Sequence, residues 1–478
     1  MSTTTTTKTF ADVPANRDRL FLAACVALIV TSMTFAIRAG ILGDLSAEFG
    51  LSDGELGWVN SMAFYGFPLA MLLGGAIYNK VGPKVLMWVA FISHLLGLVL
   101  TMTAGGFWGL IISTFFIGFA NGSVEAACNP LIADMYPDKQ TEMLNKFHVW
   151  FPGGLVIGSL IAFFLGGSMS WQMLIGTMLV PTAIYGLLIF GQKFPKAVNI
   201  SGDMGENVKG ILMPLFIVMA LIMTMTATTE FGATQWVDRI MGNAGAHPMI
   251  LLALTAGIMA SGRFFAGPVI NKLNPAGVLV GSAILAAIGL YLLSISTGGM
   301  VYAATAVFAL GICYFWPTML GFTAENIPSS GALGLSLIGG AGMLGAGIWN
   351  PIIGGWIENN RGEALKEQPA LVESVNSYFD ANPKVLATID ELPDAGEKRD
   401  IKLYNTYNGI KSGMLGKLKN AEVMDEAAIK TIEDELKLVN AVELKAGQGT
   451  VSRLMLFPSA LIAVFIGLYF FMRGRSKE

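Results

Sequence analysis

Gly75-Ala-Ile-Tyr-Asn79-Lys80-Val-Gly82-Pro83 returns later in the chain as Gly267-Pro-Val-Ile-Asn271-Lys272-Leu-Asn274-Pro275, with Gly, Asn-Lys and Pro at identical spacing. Each copy is a short polar turn between two long apolar runs, 55–78 and 84–104 around the first, 248–270 and 276–297 around the second. A bilayer core takes about 20 apolar residues per helix. Applied outward from these turns, that length adds segments near 19–41, 106–130, 147–168, 171–191, 209–232, 299–322, 331–356 and 453–472. The expected fold is an all-α membrane protein with twelve transmembrane helices.

Composition agrees with a lipid environment. Charged residues are 13% and hydrophobic ones 54%, whereas soluble chains carry about 25% charged residues. The 57 glycines suit membrane helices, where small residues let backbones approach. A net charge of −3 is too near neutral to imply a polyanionic partner. Cys25, Cys128 and Cys313 all sit in apolar segments, so neither a disulfide framework nor a metal site is expected. Lys8, Arg17 and Arg19 precede the first apolar run as in a signal peptide, but Leu20–Ile37 is too long and lacks a small-residue cleavage site.

Short cytoplasmic loops collect Lys and Arg. With the N-terminus inside, those loops hold Lys80 and Lys84, Lys139 and Lys146, Lys193, Lys196 and Lys209, Arg263 and Lys272, and the tail holds Arg473, Arg475 and Lys477. The opposite loops are nearly bare, Arg239 being the exception. The chain is expected in a cell membrane (the bacterial inner membrane), with both termini cytoplasmic. Residues from about 358 to 452 are polar and fall outside the cytoplasm. Val423, Ile429, Ile432, Leu436 and Val439 have helical spacing, so this insert is expected to form a helical cap. A lineage-specific insertion, a lid and a docking surface all remain open for it.

The two halves echo each other elsewhere. Asn129-Pro130 answers Trp316-Pro317, and Gly153, Gly154 and Gly158 answer the run Gly339 to Gly347. Two six-helix halves related by a parallel repeat are the sequence trace of the major-facilitator architecture, in which one bundle rocks against the other around a midplane site. The expected bundles are 1–200 and 201–478, the second containing the insert. Gly75, Asn79, Lys80, Gly82, Lys84, Arg263 and Lys272 are the candidate conformational-loop residues. Their lysines can engage helix C-termini and acidic partners in one conformation, or simply obey the positive-inside bias.

These residues carry a family likeness. Gly75 to Lys84 resembles the major-facilitator signature between helices two and three, with Asn79 where an acidic residue is usual. Glu125-Ala-Ala-Cys-Asn129-Pro130 resembles the helix-four motif of the fucose/glucose–galactose:proton symporter family, and Leu144-Asn145 with Pro152 and Gly154 its helix-five motif. Gly262-Arg263-Phe264 with Gly267, and Trp316-Pro317-Thr318-Met319, resemble its helix-eight and helix-ten patterns. The likeness spans about 20–356 plus the last helix and omits the insert. Three departures alter the cavity: Asp44 is out of register with that family's helix-one Asp while Arg38 intrudes, His148 replaces a Gln, and Phe151 replaces an Asn.

An ionisable side chain at membrane depth costs several kcal/mol (about 2.5–3.5 on the mildest scale) and so marks a pathway by default. Glu125 lies deep in helix four, and the resemblance assigns its position to proton coupling; a structural hydrogen bond is the alternative. Arg38 must be neutralised, and Glu125 is the expected partner; alternatively Arg38 grips a substrate carboxylate or phosphate. Asp44 completes the coupling candidates, or sits at the outer interface. The substrate-binding candidates are Asn129, Asn145, His148, Trp150, Glu230, Gln235, Trp236, Tyr314, Trp316 and Asn350. Gln235-Trp236 suits a sugar, an amide beside an aromatic plate, although Trp236 also suits the interfacial belt.

The expectation is a monomeric secondary transporter, a proton symporter of a monosaccharide or related polyol, with a sugar-like small molecule, a proton and the bilayer as partners. Its rivals are an organic-anion or sugar-acid symporter using Arg38, and a non-transporting sensor. No phosphate loop, HExxH, paired cysteines or basic aromatic surface appears in the sequence, so no enzyme activity, cofactor, metal or nucleic-acid partner is expected.

Overall fold

The computed structural model describes residues 15–136, 140–195, 204–389, 392–419 and 426–475. Among these, eleven helices are long and apolar enough to cross a membrane, and the shorter apolar helix Pro248–Phe264 occupies the eighth position. The chain therefore has the expected twelve crossings. The first runs Arg17–Gly40, the second Asp53–Tyr78, the third Lys80–Met102, the fourth Phe107–Ile132, the fifth Lys146–Leu165 and the sixth Trp171–Ile189. The seventh is Pro214–Thr234, the ninth Lys272–Ile295, the tenth Met300–Thr323 and the eleventh Leu333–Lys366. The twelfth lies in the long apolar-ended stretch Glu426–Arg473.

The repeated turn is a repeated backbone event. Gly82 adopts φ 75° and ψ 167°, and its counterpart Asn274 adopts φ 56° and ψ 163°. Both precede a proline, which bars the helical region at that residue, and the chain escapes through positive φ. Glycine does this freely, and asparagine tolerates it better than most residues. Asn274 is the lone non-glycine with positive φ among the described residues, and its Oδ1 caps the ninth helix by accepting from Gly277 N at 3.0 Å. The glycine-rich helices also pack alike. Added Cβ atoms on Gly154 and Gly158 of helix five would strike Ser32, Met33 and Ala36 of helix one. Those on Gly342 and Gly345 of helix eleven would strike Met223, Thr224 and Ala227 of helix seven. The proline echo is looser: Pro130 sits inside a continuous helix, whereas Pro317 lies in the first turn of a new segment, Phe315–Asn326.

The insert is helical, as expected, with helices Pro369–Ala381, Glu397–Lys419 and Glu426–Leu454. It closes on its own core of Leu371, Val375, Phe379, Leu403, Tyr407, Ile432, Leu436 and Val439; Val423 lies outside the described residues. Helix eleven runs without a break from Gly331 to Lys366, and Glu426–Leu454 leads directly into Leu456–Arg475. The insert is thus an extension of the second bundle on a face we call the insert face, opposite the termini.

On that face the bundles are joined by backbone proximity and polar bonds. Cβ atoms on Gly57 and Gly354 would lie 2.5 Å from Pro351 Cα and 2.1 Å from Asp53 O, so helices two and eleven touch main chain to main chain. Ser61 Oγ donates to Gly347 O at 2.6 Å, Gly54 N to Glu358 Oε1 at 3.2 Å, and Arg239 Nε to Asp53 Oδ1 at 2.7 Å. Nearby, burial pushes the Asp238 carboxyl from 3.8 up to about 6; the Arg239 charge and the Gly43 N–H oppose this, and the Asp44 and Asp53 carboxylates add to it. A carboxyl raised by its folded surroundings favours the folded, closed seam when protonated. Its contribution is full below about pH 4 and is lost as pH rises through about 6. Asp238→Asn should therefore raise the thermal midpoint clearly at pH 7.5 and much less near pH 4.5; equal gains at both pH values would contradict this.

Candidate functional site

Between the bundles, on the side of the termini, lies a cavity of about 520 Å³. Its walls are mainly apolar: Phe67 and Met71 from helix two, Phe151 from helix five, Phe231 from helix seven, Trp316 and Leu320 from helix ten, and Met343 from helix eleven. Its roof is aromatic. Phe35 packs against Phe151 and Phe231 with ring centroids 6.1 and 5.8 Å apart, and Phe64 against Phe231 at 5.3 Å.

Two charged sets face this apolar space. On the first bundle, Glu125 is 8% exposed, and its Oε2 accepts from Asn129 Nδ2 at 2.7 Å. The spacing of four residues places both on one helix face. Asn129 Oδ1 lies 3.0 Å from His148 Nε2. With the amide nitrogen turned to the carboxylate, the carbonyl oxygen is left for His148, so Nε2 carries the ring proton. On the second bundle, Glu230 and Arg263 line the cavity. Arg263 Nε donates to Cys313 O at 3.1 Å, which aims the guanidinium, and its two terminal nitrogens make no hydrogen bond to the described residues. Arg263 and Glu230 act on each other electrostatically without an ion pair among the described residues.

Several expectations change here. Arg38 does not pair with Glu125. Its Nη2 donates to Gln235 Oε1 at 2.9 Å, its Nε and Nη1 are buried without partners among the described residues, and its guanidinium lies over Phe35 and Phe64 at 5.2 and 5.9 Å. The phenylalanine layer stands between it and the cavity, and a sequence carries no signal for that layer. Asp44 is exposed on the short helix Leu42–Phe49 at the insert face, away from the cavity. Gln235 and Trp236 are buried in the seam rather than presented to a sugar: Gln235 holds Arg38, and Trp236 Nε1 donates to Asn350 Oδ1 at 3.1 Å. Trp150 is 42% exposed and does not line the cavity. Tyr314 donates to Gly262 O at 3.0 Å beside the cavity.

The structure therefore gathers Glu125, Asn129, His148, Glu230 and Trp316 from the candidate set. Arg263, expected in the loop, joins them. Gly75 also reaches the lining, while Lys80, Lys84 and Lys272 are exposed. The side chains of Asn79 and Asn145 lie outside the described residues. Sequence reasoning missed the apolar wall. Its signal, Phe and Met on helices two, seven and eleven, is the same as that of lipid-facing residues.

A two-bundle helical protein with an ionisable cavity, closed on one face by an interbundle seam, has the architecture of a secondary membrane transporter. The Major Facilitator Superfamily profile matches residues 20–357, and the chain belongs to that family. It is a multi-pass membrane transporter, not an enzyme. It is 22% identical over 365 residues, 72% of this chain and 89% of the relative, to a putative niacin/nicotinamide transporter of Bacillus subtilis. It is 26% identical over 362 residues, 70% and 86% of the two chains, to a cis,cis-muconate transport protein of Acinetobacter baylyi. In fold it is similar to a bacterial homologue of the human lysosomal transporter Spinster in an inward-facing, occupied conformation (TM-score 0.68, 13% identity, 95% and 97% coverage). It is also similar to the E. coli fucose:proton symporter (TM-score 0.51, 17% identity, 70% and 91% coverage).

Proposed function

We propose that this chain is a proton-coupled symporter of a small organic acid, a carboxylate on an apolar or unsaturated body. The observation that carries the reading is Arg263: a guanidinium anchored through Nε, with both terminal nitrogens unbonded among the described residues, in a mainly apolar cavity shared with Glu230 and, on the opposite bundle, Glu125, Asn129 and His148. A guanidinium fork binds carboxylates bidentately, and Phe67, Phe151, Phe231 and Trp316 suit an unsaturated body. With Glu125 and Glu230 ionised, the cavity carries excess negative charge and repels an anion. A proton on Glu230 removes its claim on Arg263, so proton and anion bind together. The Glu125–Asn129–His148 chain gives a second protonatable edge towards the terminal face. Under the positive-inside orientation the cavity faces the cytoplasm. The niacin/nicotinamide and cis,cis-muconate relatives support the reading, since niacin and muconate are carboxylates on unsaturated bodies.

The monosaccharide reading keeps Asn129 and Trp316 as its contacts. It loses the Gln235–Trp236 subsite to the seam in this conformation. Arg38 as an anion site would require Phe35 and Phe64 to move. Uptake into proteoliposomes under an imposed pH gradient separates these readings. An aromatic or unsaturated carboxylate should accumulate and a monosaccharide should not. Accumulation of the sugar alone would overturn the proposal, and absence of any flux, with ligand still bound, would favour the sensor reading.

A further inference from the structure

At the top of the seam, on the insert face, four charges are buried together. Asp53, the first residue of helix two, is fully buried and accepts from Arg239 Nε and from Arg361 Nη1, each at 2.7 Å. Arg361, on the continuation of helix eleven, is also fully buried. Its other edge is held bidentately by Glu443 of the insert, Nε to Oε1 at 2.8 Å and Nη2 to Oε2 at 3.0 Å. Tyr404 from the preceding insert helix donates to Glu443 Oε1 at 3.0 Å. One carboxylate therefore comes from the first bundle and the other from the insert, and they share a single guanidinium.

We propose that the insert is the counter-charge holder of the seam: Glu443, fixed by Tyr404, keeps Arg361 neutralised when Asp53 departs with the first bundle, and so permits the insert face to open. The two arginines differ in what opening does to them. Arg239, with 16% of its side chain exposed, can exchange Asp53 for water. Arg361, with none exposed, cannot. A buried charge that loses its partner is strongly destabilising, so without Glu443 the Arg361–Asp53 bond could scarcely be broken. Glu443 moves with Arg361 because both stand on helices continuous with the second bundle. The two carboxylates thus have opposite effects: Asp53 holds the seam shut, and Glu443 lets it open.

The test uses the full chain in detergent, without substrate or pH gradient, so it does not depend on the transported molecule. A reporter cysteine replaces Ser61, which is buried in the seam against Gly347, and its alkylation rate by a hydrophilic maleimide reads seam opening. Asp53→Asn should raise the rate about tenfold or more. Glu443→Gln should lower it about tenfold, because the closed seam still satisfies Arg361 through Asp53 whereas the open one does not. Tyr404→Phe, which keeps the carboxylate, should lower it about two- to threefold, and serves if Glu443→Gln does not fold. A rate raised or unchanged by Glu443→Gln, or by Tyr404→Phe where that variant serves in its place, would overturn the proposal.

Discussion

Arg263→Gln is expected to lower affinity for the transported organic acid by about 10²- to 10³-fold while leaving the protein folded. Hydrogen bonds to charged groups contribute about 1.5–3 kcal/mol each, and a bidentate pair supplies two of them. Some of this is recovered because glutamine still donates one bond, and a net loss of about 3–4 kcal/mol corresponds to the stated factor. Arg263→Lys retains the charge but not the planar fork, and about a tenfold loss is expected. The check is a dissociation constant from calorimetry on the purified chain. Unchanged affinity in Arg263→Gln would remove the cavity guanidinium from the mechanism, and with it the case for an anionic substrate. The Nε–Cys313 O bond is also lost in this variant. A thermal midpoint near that of the parent chain would show that this loss is local.

Glu230→Gln is expected to abolish uphill accumulation while preserving exchange. The amide has the shape of a protonated carboxyl and cannot release a proton. Arg263 would be permanently free for the anion, so binding at neutral pH should be no weaker and should lose its pH dependence. One unit of pH gradient is worth about 1.4 kcal/mol per proton, or about tenfold accumulation. The variant should equilibrate its substrate without exceeding the outside concentration. Continued accumulation would transfer the coupling role to Glu125, whose carboxylate is already engaged by Asn129. The same assay on Glu125→Gln then decides between the two carboxylates.

Both experiments concern the cavity, whereas the carboxylates at the seam act on access to it. Asp53 and Glu443 differ from Glu230 in being fully committed to arginines in the closed state. Their expected signature is a changed rate of opening with unchanged affinity, and that of the cavity residues is the reverse.

The sequence by itself determined the twelve crossings and the repeat, because hydrocarbon forces each span to satisfy its own backbone within a stretch of fixed length. The break at the two repeated turns followed too, since a proline keeps its predecessor out of the helical region, whereas the positive φ that Gly82 and Asn274 share was shown only by the structure. The pairing of Glu125 with Asn129 obeys helical spacing within four residues, yet the sequence pointed Glu125 to Arg38 instead. What only the tertiary structure decided was the partner of every long-range charge. Arg38 found an amide 197 residues away instead of Glu125, Arg263 left the loop set for the cavity, and Arg361 reached 308 residues back to Asp53. Length and periodicity act along one helix, whereas charge pairing depends on which helix faces close against each other. Apolar residues that line a cavity and those that meet lipid obey the same local rule. Only the closed packing of the two bundles separates them.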